Sequence, residues 1–248
     1  MTRNLRGRTA IVTGSAAGIG QAFAERLAID GANVVIADLS EAGETIKRIT
    51  DAGGEGLAVR CDVSNPDDVR RLGEEARRRF GHIEILVNNA GIYPFMPFEQ
   101  VTWEIWRKVL AVNLDSQFLM CREFVPAMKE KGWGRVVNVS SGSPWVMLGG
   151  DIPYTASKAG VVGFTRALAT ELGPFGITVN SLAPSIVKTK TTVEMMKGLL
   201  DDIPAATQAI KRLETPEDLV GALSFLVSDD AAFITAQTLM VDGGRVRV

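Results

Sequence analysis

Two side chains four residues apart, Tyr154 and Lys158, could between them move a proton. On a helix four residues turn the chain through about 400°, so a phenol and an ammonium at this spacing project from one face. A cation beside a phenol favours the phenolate and lowers a pKa that is ~10 when unperturbed. Such a tyrosine can act as acid or base near neutral pH. The stretch Tyr154-Thr155-Ala156-Ser157-Lys158 opens an apolar, Gly- and Ala-rich run from Ala159 to Leu172 that reads as a helix. A Tyr and a Lys at this spacing also begin ordinary surface helices, so the rest of the chain must decide.

A second candidate site binds rather than reacts. Ala10-Ile11-Val12 runs into Thr13-Gly14-Ser15-Ala16-Ala17-Gly18-Ile19-Gly20, then into the helical pattern Ala22–Leu27. Strand, glycine turn and helix N-terminus in that order present backbone N–H groups and a positive dipole end to a pyrophosphate. Gly14 permits the turn, Gly18 removes a side chain where phosphates approach, and Gly20 lets the helix pack closely on the strand. The spacing is G-x-x-x-G-x-G rather than G-x-G-x-x-G. Asp38, 18 residues beyond Gly20, ends the strand Val34-Val35-Ile36-Ala37. A carboxylate there accepts hydrogen bonds from adenosine ribose hydroxyls and repels a 2′-phosphate. With Ala17 and Leu39 in place of Arg or Lys, nothing offsets that repulsion, and NAD is favoured over NADP. The alternative role for Asp38, capping the next helix, falls more naturally to Ser40.

Strand-like and helix-length segments alternate throughout, the pattern of βαβ units and a parallel sheet. Strands are expected at Thr9–Val12, Asn33–Ala37, Gly56–Arg60, Ile85–Val87, Arg135–Val139, Thr178–Ser181 and Thr238–Val241. Helices are expected near Gly18–Asp30, Glu41–Ala52, Pro66–Phe80, Trp103–Lys131, Tyr154–Gly173 and Pro216–Val227. Short Val/Ile/Ala runs without alternation belong to strands covered on both faces, hence a doubly wound α/β sheet. No linker or repeat divides the chain, so 1–248 is expected to be one dinucleotide-binding and catalytic domain. Apolar residues bunched between Pro184 and Pro204 mark a flexible substrate flap at about 185–205.

Bulk properties exclude several chemistries. The 248 residues are 46% apolar, with Lys+Arg 27 against Asp+Glu 29, so a core is available and no basic surface points to nucleic acid. Arg77-Arg78-Arg79 reads as a solvated helix end. Cys61 and Cys121 have neither metal-ligand nor disulfide spacing and read as small buried residues. The single histidine, His82, precedes the strand Ile85–Val87, at the end away from where such sheets hold ligands; neither a Ser-His-Asp hydrolase nor a histidine metal site is expected. No signal-peptide core and no apolar run of ~20 residues is present, and a cytoplasmic protein without membrane contact is expected.

With the glycine loop, Asp38, Asn88-Asn89-Ala90-Gly91, Asn113, Ser140-Ser141 and Tyr154-x-x-x-Lys158 in this order, the sequence resembles the short-chain dehydrogenase/reductase family over its whole length, ending in Val241-Asp242-Gly243-Gly244. The resemblance implies a Rossmann fold with a seven-stranded sheet. It implies that Ser141 fixes the substrate oxygen, Tyr154 exchanges its proton, Lys158 lowers the tyrosine's pKa and holds the nicotinamide ribose, and Asn113 positions a water. Gly14, Ala17, Gly18, Ile19, Gly20, Asp38, Asp62, Val63, Asn89, Tyr154, Lys158, Val187 and Thr189 are its implied cofactor contacts. Of Ser140 and Ser141 only one should serve, since successive strand residues face opposite ways. Where the family usually carries Pro-Gly, this chain has Pro184-Ser185. The stretches Gly91-Ile92-Tyr93-Pro94 and Ala183-Pro184-Ser185 and the C-terminal residues are most similar to its NAD-dependent secondary alcohol dehydrogenases.

Family resemblance also brings Tyr93, Phe95, Pro144, Trp145, Met147, Leu148, Met195, Met196 and Leu199 to the active-site mouth, with Tyr93, Trp145, Met195, Ser141 and Tyr154 the implied substrate contacts. This set carries no charged clamp for a carboxylate or phosphate, so the expected substrate is an uncharged apolar or aromatic alcohol/ketone pair. The alternatives are an NADPH-dependent 3-ketoacyl-type reductase, which should carry basic residues in the glycine loop, and a non-catalytic dinucleotide sensor, which should have lost part of the Asn113, Ser141, Tyr154 and Lys158 set. Relatives are commonly homotetramers, with the helices around Asn113–Lys131 and Tyr154–Gly173 at the interfaces; Ala159, Gly160, Gly163 and Ala167 suit close packing there.

Overall fold

The computed structural model describes residues 4–147, 149–196 and 207–247. The short apolar runs form β1 (Thr9–Thr13), β2 (Asn33–Asp38), β3 (Gly56–Arg60), β4 (Ile85–Asn88), β5 (Gly134–Val139), β6 (Ile177–Pro184) and β7 (Thr238–Val241). They make one seven-stranded sheet in the order β3-β2-β1-β4-β5-β6-β7, every pair parallel. Because β1 lies between β2 and β4, the chain's winding reverses there. At that reversal the loops after the strands part and leave a crevice beyond their C-terminal ends.

Alternate residues of the same strand enter different cores. Val12, Ile36, Val87 and Val137 pack on one face with Phe23 and Leu27 of α1 (Gly18–Ile29) and Leu219 and Leu223 of α9 (Pro216–Leu226). Ile11, Val35, Leu86 and Val136 pack on the other with Leu72 of α3 (Pro66–Phe80), Met120 and Phe124 of α5 (Ser116–Lys131), and Leu172 of α7 (Ile152–Leu172). Each fully buried Leu, Val or Phe is worth ~1.5–3 kcal/mol, so two-sided burial explains why these strands read as unbroken apolar runs. Local signals bound the helices. Asn65 accepts from the N–H groups of Asp67 and Asp68 at the start of α3, and Thr215 with Asp218 forms a capping box on α9.

Four expectations change. The expected helix from Trp103 to Lys131 is α4 (Trp103–Leu110), a π-turn at Ala111–Asp115 and then α5. An inserted residue in one turn leaves the apolar period almost intact, so periodicity does not reveal it. β6, expected at Thr178–Ser181, runs from Ile177 to Pro184 because Ala183 and Pro184 pair with Met240 and Val241. Ser40 caps nothing: α2 (Gly43–Asp51) starts after Ala42 without a side-chain cap, while Asp38 takes the Ser40 N–H. Short helices α6 (Ser143–Val146) and α8 (Lys190–Met195) appear where loop was expected. His82 precedes β4, and Cys61 and Cys121 are buried thiols.

Candidate active site beyond the strand ends

The glycine loop connects β1 to α1 as its composition requires. At Gly14, with φ +63°, a Cβ would lie 2.8 Å from the Ala90 backbone, and at Gly20 it would strike the Gly14 carbonyl. Gly18, at φ +60°, has only the Thr189 methyl before it, 3.4 Å from where a Cβ would be. The N-terminus of α1 has neither a side-chain cap nor an acidic residue in its first turn. Its free N–H groups and positive dipole end are therefore available to an anion. Asp38 ends β2 beside this loop and accepts from Ala16 N–H at 2.9 Å. Ala17 adds no cation, and the Leu39 side chain is exposed. Asn89 donates to the carbonyls of Thr13 and Gly14 at 2.9 and 3.0 Å, tying β4 to the loop. The Asp62 carboxylate accepts from the Ser64 N–H and hydroxyl, and Val63 is buried in the core beside α3.

These features fit a dinucleotide: a side-chain-free cradle, an uncapped helix N-terminus and a carboxylate at the second strand's end. Thr189 caps α8 and faces Gly18, so the start of α8 lies over the glycine loop. Val187 points into the core, and its carbonyl accepts Thr189 N–H at 2.9 Å.

The expected catalytic groups converge at the end of β5 and the start of α7. The Ser141 hydroxyl lies close enough to the Tyr154 phenol to work against the rise in its pKa and accepts the Ser143 N–H at 3.1 Å, whereas Ser140 turns away and donates to the Lys158 carbonyl at 2.9 Å. Just past the end of β5, Ser141 is thus the serine on the Tyr154 side. Lys158 is buried and its Nζ donates to the Val139 carbonyl at 2.7 Å, 5.6 Å from the Tyr154 ring centre. Asn113, in the π-turn, donates to the Ile92 carbonyl at 3.0 Å and to Ser157 at 3.1 Å, and accepts the Ile92 N–H at 2.8 Å. Its amide holds the loop after β4 against α7.

Electrostatics correct the sequence argument for the tyrosine. Burial pushes the Tyr154 phenol above its ordinary value; the Ser141 hydroxyl works against this and the Asp151 charge adds to it. Burial also brings Lys158 down to about 8. Spacing predicted one face for both groups, but it did not register that both leave water.

Tyr93 lies edge-on to Tyr154 with ring centres 4.5 Å apart, and Phe95 is the next ring at 6.3 Å from Tyr93. Trp145 is half-buried on α6, four residues past Ser141, while Met147 and Met195 are exposed. Leu148, Leu199 and residues 197–206 of the expected flap lie outside the described residues.

Three charged residues at this mouth were not singled out from sequence. Asp151, one turn before Tyr154, is buried with Oδ2 unpartnered, and burial raises its pKa. Its i, i+3 relation to Tyr154 was the available signal. Glu214 is buried and pushed up to about 8 by burial; its Oε2 accepts the Ser185 N–H at 2.7 Å and its backbone carbonyl accepts the Lys188 N–H at 2.7 Å. Arg245 donates to the Ser185 hydroxyl at 3.3 Å. Ser185, where glycine was expected, is therefore held from both sides, by its N–H and by its Oγ. The expectation of a mouth without charge does not hold, because the C-terminal segment returns to it.

The family model described as enoyl-(acyl carrier protein) reductase matches residues 14–245. Over 246 residues, 97% of this chain and 88% of the relative, the sequence is 40% identical to dehydrogenase/reductase SDR family member 4 of Rattus norvegicus. It is 37% identical to the 3-oxoacyl-[acyl-carrier-protein] reductase FabG of Escherichia coli (strain K12) over 250 residues, 99% of this chain and all of the relative. Among solved structures, a candidate NAD(P)-dependent gluconate 5-dehydrogenase of Beutenbergia cavernae, crystallised with NADP at low occupancy, superposes with a TM-score of 0.92 at 39% identity, covering 98% of both chains.

Proposed function

This chain belongs to the short-chain dehydrogenase/reductase family, and from that premise we propose that it is an NAD-dependent oxidoreductase interconverting a secondary alcohol of apolar or aromatic body and its ketone. The observation that carries this reading is the meeting of Ser141 and Tyr154 with buried Lys158, whose Nζ is 5.6 Å from the tyrosine ring centre, in the same crevice as an uncapped helix N-terminus and the Asp38 carboxylate. When bound, the dinucleotide supplies the hydride acceptor on its nicotinamide ring.

The chain's own groups do the rest. N–H groups of Gly18, Ile19 and Gly20 hold the pyrophosphate, Asp38 takes the adenosine ribose hydroxyls, and Asp62, Val63 and Asn89 flank the adenosine. Val187 and Thr189 hold the carboxamide end, and Lys158 the second ribose. Ser141 fixes the substrate hydroxyl while Tyr154 Oη removes its proton, with Asn113 keeping the loop after β4 in register. Tyr93, Trp145 and Met195 bound the substrate, and a flap at about 185–205 closes over it. Residues 1–248 act as one catalytic domain, assembled as a homotetramer in the cytoplasm.

The stretches at 91–94, 183–185 and 243–248 support a finer likeness to secondary alcohol dehydrogenases such as (S)-1-phenylethanol dehydrogenase. Similarity to the Escherichia coli relative favours a second reading, an NADPH-dependent 3-ketoacyl reductase; Asp38 and the absence of Arg or Lys from the glycine loop favour NAD. A non-catalytic sensor would not need all four of Asn113, Ser141, Tyr154 and Lys158.

Absorbance at 340 nm with NAD or NADP and a panel of aromatic and alicyclic secondary alcohols tests the proposal. Turnover with NAD is expected, and Tyr154→Phe should lose at least ~10²-fold in kcat, the lower bound for general acid–base catalysis. A Tyr154→Phe enzyme that keeps near-full turnover sinks the assignment.

A further inference from the structure

The C-terminal segment places a cation at the substrate mouth. Arg245 follows the turn at Gly243 and Gly244, both with positive φ, where Asp242 accepts the N–H groups of Gly244 and Val246. That Asx-type turn engages the Asp242 carboxylate and aims the next side chain back at the sheet. Arg245 Nη1 reaches the Ser185 hydroxyl, and Val246 packs beside Gly142, one residue past Ser141. Arg245 and Arg247 line a cavity of about 290 Å³ with Trp145 and Val146. Tyr93, whose ring meets Tyr154, feels the Arg245 charge.

This cation is not satisfied by the fold. Its Nε is shielded from water without a hydrogen-bond partner, and among the described residues no carboxylate is within ion-pair distance of it. A half-buried guanidinium that uses a single side-chain acceptor gains little stability for its desolvation. Asp151 and Glu214, the other two charged residues at the mouth, are drawn toward their neutral forms by burial, and the Asp242 carboxylate, whose charge acts on Arg245 from a distance, is taken up by the N–H groups of Gly244 and Val246. A planar carboxylate is the anion that meets a guanidinium edge with two N–H bonds at once.

We propose that Arg245 is a specificity-determining residue, and that the alcohol this enzyme takes carries a carboxylate at the end of its apolar body, seated in the cavity between Trp145 and Arg245. The inference rests on the oxidoreductase reading and names its substrate class: an aromatic or alicyclic hydroxy acid and the matching keto acid.

The test compares 1-phenylethanol with 4-(1-hydroxyethyl)benzoate, which differ by the carboxylate alone, and adds calorimetric binding of benzoate. For the wild type, kcat/KM for the acid should exceed that for the neutral alcohol at least tenfold, mainly through KM. Arg245→Met and Arg245→Gln should reduce that ratio at least tenfold, with Arg245→Lys recovering part of it. Benzoate affinity should fall in step. An acid-to-neutral ratio near one in the wild type, or one that both variants leave unchanged, overturns the proposal. If neither alcohol turns over yet benzoate binding depends on Arg245, the anion site stands and the oxidoreductase reading is what fails; benzoate binding indifferent to Arg245 overturns the site itself.

Discussion

Asp38 is the side chain on which the proposed preference for NAD rests. Its carboxylate is pinned between the N–H groups of Ala16 and Ser40, so it cannot swing away from an incoming 2′-phosphate without giving up both bonds. Asp38→Ala should therefore lower the ratio of kcat/KM for NAD over NADP at least tenfold. Steady-state kinetics with both dinucleotides read this directly, and an unchanged ratio would place the discrimination elsewhere. Tyr154 carries a second residue-scale consequence. Since burial raises its pKa, its proton leaves only with help from positive charge, and alcohol oxidation should quicken as pH rises. Both positions were legible by type and spacing. Their energetics were not, because desolvation is a property of neighbours.

At the scale of elements, the chain just after β6 is anchored by a titratable post. Glu214 holds Ser185 and Lys188 through its carboxylate and backbone carbonyl, and its carboxyl titrates near 8 rather than at 4.5. A raised folded-state pKa means that the folded protein binds the extra proton between these values. The stability this proton confers is complete below about 4.5 and is lost as pH rises through 8, a change of a few kcal/mol at ~1.4 kcal/mol per unit. Asp151 acts in the same direction. Lys158 acts oppositely and only higher, its buried charge being relieved between about 8 and 10.5. Thermal melts should therefore show wild-type Tm falling from pH 5.5 to 8, and Glu214→Gln, which keeps an acceptor for Ser185, should flatten that slope. Parallel slopes for the two proteins would show that Glu214 does not govern it. The π-turn at Ala111–Asp115 is the other element-scale device: it delivers the Asn113 amide to Ile92 and Ser157.

For the whole molecule, apolar surface argues for assembly. Phe233 is fully exposed next to the edge strand β7, where Leu239 is also uncovered, and Trp103 and Phe118 stand out from α4 and α5. Ala159, Gly163 and Ala167 form an exposed small-residue row on α7. Gly160 does not join it, since a Cβ there would meet Leu114 of the same chain at 2.8 Å. Light scattering coupled to gel filtration should give four times the 26.7 kDa chain mass. Phe233→Ser together with Leu239→Ser should lower that mass, and a monodisperse monomer from the unsubstituted chain refutes the assembly.

The sequence by itself determined the order of strands and helices, the glycine loop with Asp38, and the Ser141, Tyr154 and Lys158 set. The elements, the loop and the Tyr154–Lys158 spacing follow from side-chain period, turn chemistry and residue type, which are local along the chain, while Ser141 follows from the family resemblance. Tertiary structure alone decided how burial moves the pKa values of Tyr154, Lys158 and Glu214, and that Arg245 meets Ser185 across 60 residues. Desolvation and long-range charge depend on distances through space, and nothing in the spacing of residues along a chain encodes those until the sheet has closed over its two cores.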